Sequence, residues 1–244
     1  NTVAKNESYK LSEVLMYLGV SYYLEGNSEK AIDTIKNSLQ QNEETKNISE
    51  EKVLPRVYHE LSVGLKKIGK FDEALEYYIK GLNINIQKFG KEHPNTGASY
   101  HFIGSVLEKK GLCEEALENY VKCLEIRNKY FEEDHPSVIL LLIDVGNAYL
   151  KLAKYGQALE FFEKAIEQKK KKVLGFISEI CQIHLSIAKT HRLMENIENA
   201  VKILEPYLEA SLKDAEAKGL DLIQVHIELG HVYKLQEEFQ RSEE

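Results

Sequence analysis

Apolar and small residues recur along the chain at offsets of three, four and seven, the spacing that places side chains on one face of an α-helix. The sets are Leu15, Leu18, Gly19, Tyr22; Tyr58, Leu61, Ser62, Leu65; Tyr100, Ile103, Gly104, Leu107; and Leu142, Val145, Gly146, Tyr149. His184, Ile187, Ala188, His191 and then His226, Leu229, Gly230, Tyr233 continue the pattern. Each stripe predicts a helix that ends in a polar or glycine-bearing turn, such as Glu25-Gly26-Asn27, Ile68-Gly69-Lys70 or Lys110-Gly111. A second amphipathic helix carrying an alanine follows each turn.

The period is fixed by those alanines. Ala74, Ala116 and Ala158 are 42 residues apart, the same step leads on to Ala200 and Ser242, and Ala31 lies 43 residues before Ala74. The turn Glu92-His93-Pro94 returns as Asp134-His135-Pro136. A helix-turn-helix unit of this size cannot bury its apolar face alone, so stacking is expected to form one continuous core. The predicted architecture is an all-α, right-handed α-α superhelix, an α-solenoid. It has an N-terminal flank over residues 1–10 and an array over 11–244, with approximate repeats at 12–54, 55–96, 97–138, 139–180, 181–222 and a partial 223–244. A start at Asn1 with no initiator Met, and a sixth repeat broken off soon after Phe239, read as a piece of a longer chain.

Small residues at matching positions imply close helix contact. Gly19, Gly104, Gly146 and Gly230 on first helices face the alanine-bearing second helices, and glycine inside a helix costs about 1 kcal/mol relative to alanine unless a contact offsets it. Tyr78, Tyr120 and Phe162, each four residues after the alanine, are expected to fill the space between neighbouring pairs. Two departures stand out. Pro206 inside the second helix of repeat five predicts a kink or stop near Leu204-Glu205, and with it a joint in the superhelix. His184 and His226 occupy positions that elsewhere hold large apolar residues, and with His191 they are expected to be satisfied core histidines.

Composition narrows the function. With 43% hydrophobic and 29% charged residues, 4 Pro and no Trp, the chain reads as folded and helical. A net charge of −7 argues against general affinity for nucleic-acid phosphates. Cys113, Cys123 and Cys181 form no C-x-x-C pair and read as buried reduced thiols. No apolar run approaches the roughly 20 residues of a membrane span. The sequence holds no phosphate-binding loop, dinucleotide fingerprint, nucleophile elbow or H-E-x-x-H, so no enzyme activity, cofactor or metal is expected. His93 and His135 are assigned to capping or packing the turns, and Lys169-Lys170-Lys171-Lys172 to a solvated helix end favoured by the helix dipole.

The repeat resembles the tetratricopeptide repeat (TPR) family, which places Leu-Gly and then Tyr on a first helix and Ala with an aromatic on a second. A 42-residue period with an acidic-His-Pro turn, as in Lys88-Phe89-Gly90-Lys91-Glu92-His93-Pro94, is similar to the kinesin light chain branch. The resemblance implies a cytoplasmic scaffold for protein-protein interaction, with cytoskeletal or ciliary association as a variant, that holds a partner segment in a groove lined by first helices. By repeat register three rows would flank the groove: Met16, His59, His101, Ile143, Leu185, Ile227; Val20, Val63, Ser105, Asn147, Lys189, His231; and Tyr23, Lys66, Glu108, Leu150, Arg192, Lys234. The candidate contact residues are His59, Lys66, His101, Ser105, Lys109, Ile143, Asn147, Lys151, Lys189 and Arg192. Many bases against a single acid, Glu108, predict a protein or peptide partner that is acidic around apolar anchors such as those taken up by Ile143, Leu150, Leu185 and Ile227. The paired asparagines of kinesin light chain first helices are replaced by His59-Glu60, His101-Phe102, Ile143-Asp144 and Leu185-Ser186, which separates this groove from that of the motor-cargo adaptors. Other readings of the same resemblance are a peptide-sensing regulatory domain of bacterial type, a non-catalytic module of a larger enzyme, and a structural segment of a motor, cytoskeletal or ciliary assembly.

Overall fold

The computed structural model describes residues 14, 17–19, 21–22, 25–45, 54–170, 177–213 and 220–243. They form α1 (Ser28–Thr45), α2 (Leu54–Lys67), α3 (Phe71–Phe89), α4 (Pro94–Lys109), α5 (Cys113–Tyr130), α6 (Pro136–Lys151), α7 (Tyr155–Lys170), α8 (Ile177–Leu193), α9 (Ile197–Lys213) and α10 (Leu220–Glu243), with no strand among the described residues. The chain divides into two compact bodies, Asn1–Ile126 and Arg127–Glu244, with the division inside α5. In the first body α2 packs on α1 and α3, and α3 packs on α4. In the second, α6 packs on α7, α7 on α8, α8 on α9, and α10 on both α8 and α9.

The predicted small-to-large contacts build the core of each body. Ala74, Ala116, Ala158 and Ala200 are fully buried, and so are Tyr120, Phe162 and Leu204 four residues beyond three of them. A Cβ at Gly104 would stand 2.7 Å from the Tyr120 ring and 3.1 Å from the carbonyl oxygen of Ala116. At Gly146 it would stand 2.6 Å from the Phe162 ring, and at Gly19 it would collide with the Ile35 side chain. Gly230 is the exception, because a Cβ there would meet nothing within 4 Å. The expected turn of repeat six does not form, and α10 runs unbroken through Phe239 to Glu243. No second helix folds back over its stripe among the described residues. Val225, Leu229 and Val232 are buried, whereas His226, Gly230 and Tyr233 are exposed, so His226 is not a core histidine.

Pro206 does not end its helix either: α9 continues to Lys213. The carbonyl deprived of a partner by the missing N–H is that of Lys202, one turn earlier. Lys202 and Pro206 are both exposed, so water can take that hydrogen bond while Leu204 stays buried in the core. The joint expected there has no helix break to rest on.

Turns within repeats close by one mechanism. The chain returns a hydrogen bond from the residue after the turn to a carbonyl five residues back: Asn27 to Tyr22, Lys70 to Leu65, Leu112 to Leu107, Lys154 to Tyr149 and Asn196 to His191, at 2.9–3.0 Å. This Schellman closure needs a left-handed residue just past the helix. Gly26, Gly69 and Gly111 supply it, at φ 83°, 80° and 83°, but the equivalent residues of the next turns are Ala153 (φ 55°) and Glu195 (φ 59°). An L-residue there crowds its Cβ against the following carbonyl, at about 1 kcal/mol. Ala153→Gly is therefore expected to raise the urea midpoint, and Gly111→Ala to lower it by a similar amount. Equal midpoints would show that the turns relax around the extra carbon.

Turns between repeats close differently. The Nδ1 of His93 accepts from the Asn95 N–H at 3.1 Å and that of His135 from the Ser137 N–H at 3.2 Å. Their rings stack on Phe89 and Phe131, with centroids 4.5 and 4.4 Å apart. Proline follows as the first helical residue, where no N–H is required. Both histidines are helix caps.

Candidate functional site

In the first body the candidate residues come from α2 and α4, neighbouring first helices. Lys66 is half-buried and donates from Nζ to Ser105 Oγ at 3.2 Å. Burial, and then the charge of Lys109, lower its pKa below the ordinary lysine value. Lys109 itself is exposed. Among the described residues no carboxylate pairs with Lys66 or Lys109, and Glu108, the acid of that row, accepts from the Tyr120 hydroxyl at 2.7 Å. Lys66, Ser105 and Lys109 therefore form one basic patch.

His59 and His101 are set deeper than the open groove positions expected of them. The His59 ring lies 4.3 Å from Phe102 and 5.8 Å from Tyr78, and Phe102 stacks on Tyr78 at 5.6 Å. His101 stands 5.6 Å from Phe102 and 5.7 Å from Tyr120. Burial lowers the His59 pKa from the ordinary value, with Glu60 pulling up and Lys66 pushing down, which favours a neutral ring. Beside His59 opens a hollow of about 330 Å³ lined by Arg56, Tyr77, Tyr78, Asn85, Lys88 and Phe102, among others. Its rim carries cations and its floor is aromatic. The sequence reading did not anticipate this hollow; the aromatic Phe102 beside His101 is the signal that could have found it.

In the second body the predicted row is less uniform. Ile143 and Asn147 on α6 are half-buried, and Lys151 and Lys189 are exposed. Leu150 is buried in the core and is no groove anchor. Leu185 is partly buried and packs against the cluster formed by Cys181, Ala188, Leu204 and Leu229, while Ile227 is exposed. Arg192 is not a free groove base: its Nε donates to Glu228 Oε1 at 2.6 Å, and the two side chains are only 21% and 12% exposed. Glu228 thus places an acid next to the basic row, with His231 Nδ1 3.7 Å from its other oxygen. Met16, Val20 and Tyr23, like Lys171 and Lys172, lie outside the described residues.

Elsewhere on these helices His184 shares a hydrogen bond with the Tyr207 hydroxyl, whose pKa burial pushes up to about 12, so that it stays a neutral phenol. Cys113, Cys123 and Cys181 are buried, and none is part of a disulfide. Among the described residues no group of histidine, cysteine and carboxylate side chains could hold a metal ion, and no helix is long and apolar enough to cross a membrane.

Tetratricopeptide repeat profiles match the sequence over residues 54–129 and 98–171, and a further one over 13–43. The chain is a tetratricopeptide repeat protein. Arrays of this family are generally non-catalytic scaffolds for protein-protein interaction. No curated protein matches the sequence. Among solved structures, the nearly identical TPR-like repeats of a Podosopora anserina protein of kinesin light chain type superpose with a TM-score of 0.72 at 20% identity, over 86% of this chain and 99% of that one. BtubC (BKLC) from P. vanneervenii gives a TM-score of 0.70 at 16% identity, over 89% of this chain and 92% of the other. A STAND signal-transduction ATPase with a tetratricopeptide repeat sensor, from Pyrococcus horikoshii, gives 0.74 at 19% identity, over 94% of this chain but 34% of its own. These likenesses establish the fold, an all-α array of kinesin light chain-like helix pairs.

Proposed function

We propose that this TPR protein holds an extended acidic segment of a partner protein on the first-helix face of its N-terminal body, around Lys66, Ser105 and Lys109. The observation that carries the reading is Lys66 itself. A half-buried ammonium beside a second lysine, hydrogen-bonded to a neutral hydroxyl and to no carboxylate among the described residues, is an electrostatic vacancy that an anion relieves. His59, which lines the hollow, lies seven residues before Lys66 on the same helix, an axial rise of about 10 Å. That distance suits a peptide that seats an apolar side chain on Tyr78 and Phe102 while its carboxylates reach the lysines.

The experiment is to pan a random peptide library on the wild-type chain and on Lys66→Glu combined with Lys109→Glu. Wild type is expected to enrich acidic sequences with an apolar anchor, and the double variant to bind them at least about tenfold more weakly, a loss of about 1.4 kcal/mol. Raised salt should weaken wild-type binding as well. Equal affinity for both proteins, with helical circular dichroism intact, would sink the reading.

A further inference from the structure

A second site of opposite character lies in the C-terminal body, away from the first-helix rows. Between α7, α8 and α9 the packing leaves a cavity of about 390 Å³, lined by Glu163, Ile166, Glu167, His184, Ile187, His191 and Ile203. Ile166 and Ile187 are buried and Ile203 is half-buried, which gives the cavity apolar walls. Glu163 and Glu167, one helical turn apart on α7, are exposed at its edge. Neither carboxylate has an ion-pair partner among the described residues. His191 Nδ1 is buried without a hydrogen-bond partner among them.

We propose that this cavity is a binding site for a basic side chain, an arginine of a partner protein. The complementarity is specific to such a group. Its aliphatic stem matches the isoleucine walls, its charge matches the two carboxylates, and its several N–H donors include one for the vacant His191 acceptor. A purely apolar occupant would leave that nitrogen unsatisfied and a carboxylate would meet Glu163 and Glu167, so each loses where a guanidinium gains. Burial holds the His191 pKa below the ordinary histidine value against the pull of Glu163, so at neutral pH the ring stays uncharged, and in the tautomer protonated on Nε2 its Nδ1 accepts. His184 is committed to Tyr207 and contributes a wall. The site is independent of the acidic-segment reading, since it uses other residues in the other body.

The test is titration of the 244-residue chain with the peptide Ac-Gly-Leu-Arg-Leu-Gly-NH2 and its norleucine counterpart. Affinity is read by calorimetry and the histidine rings by NMR. The arginine peptide is expected to move the His191 ring signals and to bind about tenfold tighter than the norleucine peptide, as expected for a charge-assisted hydrogen bond. Glu163→Gln with Glu167→Gln should remove that advantage, and Lys66→Glu with Lys109→Glu should leave it. Binding by the norleucine peptide as tight as by the arginine peptide, full affinity in the double glutamine variant, unmoved His191 signals, or no binding at all would each overturn the proposal. The two glutamates are exposed and unpaired among the described residues, so their replacement is expected to leave the fold intact. His191→Leu, which removes the acceptor while keeping the cavity apolar, provides a second variant and should also lose the arginine preference.

Discussion

Phe162→Ala is expected to destabilise the chain by about 3–5 kcal/mol, the range for removing a buried aromatic side chain. Phe162 is fully buried on α7, and its ring fills the space left by the missing side chain of Gly146 on α6. A cavity opened there cannot collapse easily, because Ala158 and Ala165 on the same helix are fully buried as well and add no volume that could move in. The pairing has a converse. Gly146→Ala puts a methyl 2.6 Å from the ring, an overpacking that costs about 1–3 kcal/mol. Gly146→Ala with Phe162→Leu should then be less harmful than the sum of the two single changes. Urea unfolding followed by circular dichroism measures the cycle. Additivity within about 0.5 kcal/mol would mean that the two positions do not form one packing unit.

The second large effect concerns charge. Arg192→Met is expected to cost about 3 kcal/mol, because it strands Glu228, whose side chain is 12% exposed, without its partner at 2.6 Å. The cost lies in the uncompensated carboxylate and not in the value of the pair. Arg192→Met with Glu228→Leu should therefore recover most of the loss, since replacing both ions with apolar groups of similar size is close to neutral. A double variant as unstable as the single one would show that Arg192 acts through the packing of its stem on α8 and α10. His231 Nδ1 lies 3.7 Å from the other oxygen of the same carboxylate.

Much of this architecture was legible because it repeats. The alanine period, the helical stripes, the glycines opposite Tyr120 and Phe162, and the histidine caps at His93 and His135 are local or periodic features. Arg192 stands in a groove row by the repeat period of 42, but its ion-pair partner lies 36 residues on, off that register. Lys66 likewise reaches Ser105 at 39 residues. Long side chains on stacked helices meet diagonal neighbours, and register along a row does not list them. Leu150 looked like a groove anchor for a related reason: its row position is set by the repeat, but its burial is set by what packs over it. Pro206 carried a real local penalty that solvent exposure offsets. The unbroken α10 shows the limit of inheritance by period, since repeat six has the stripe of a first helix but the helix continues past the point where earlier repeats turn. The cavity under Glu163 and His191 has no sequence signature, being a gap left by three helices.

The substitution of Ala153 and Glu195 for the glycines of earlier turns has a meaning beyond stability. A glycine turn rests in its left-handed conformation, so opening it returns nothing. At Ala153 and Glu195 the backbone is held against its own preference, and about 1 kcal/mol is released at each when the turn rearranges. The turns from α6 to α7 and from α8 to α9 therefore carry a stored backbone cost that the glycine turns of the N-terminal body do not. A partner that re-angles a helix pair does so at a lower cost in the second body than in the first.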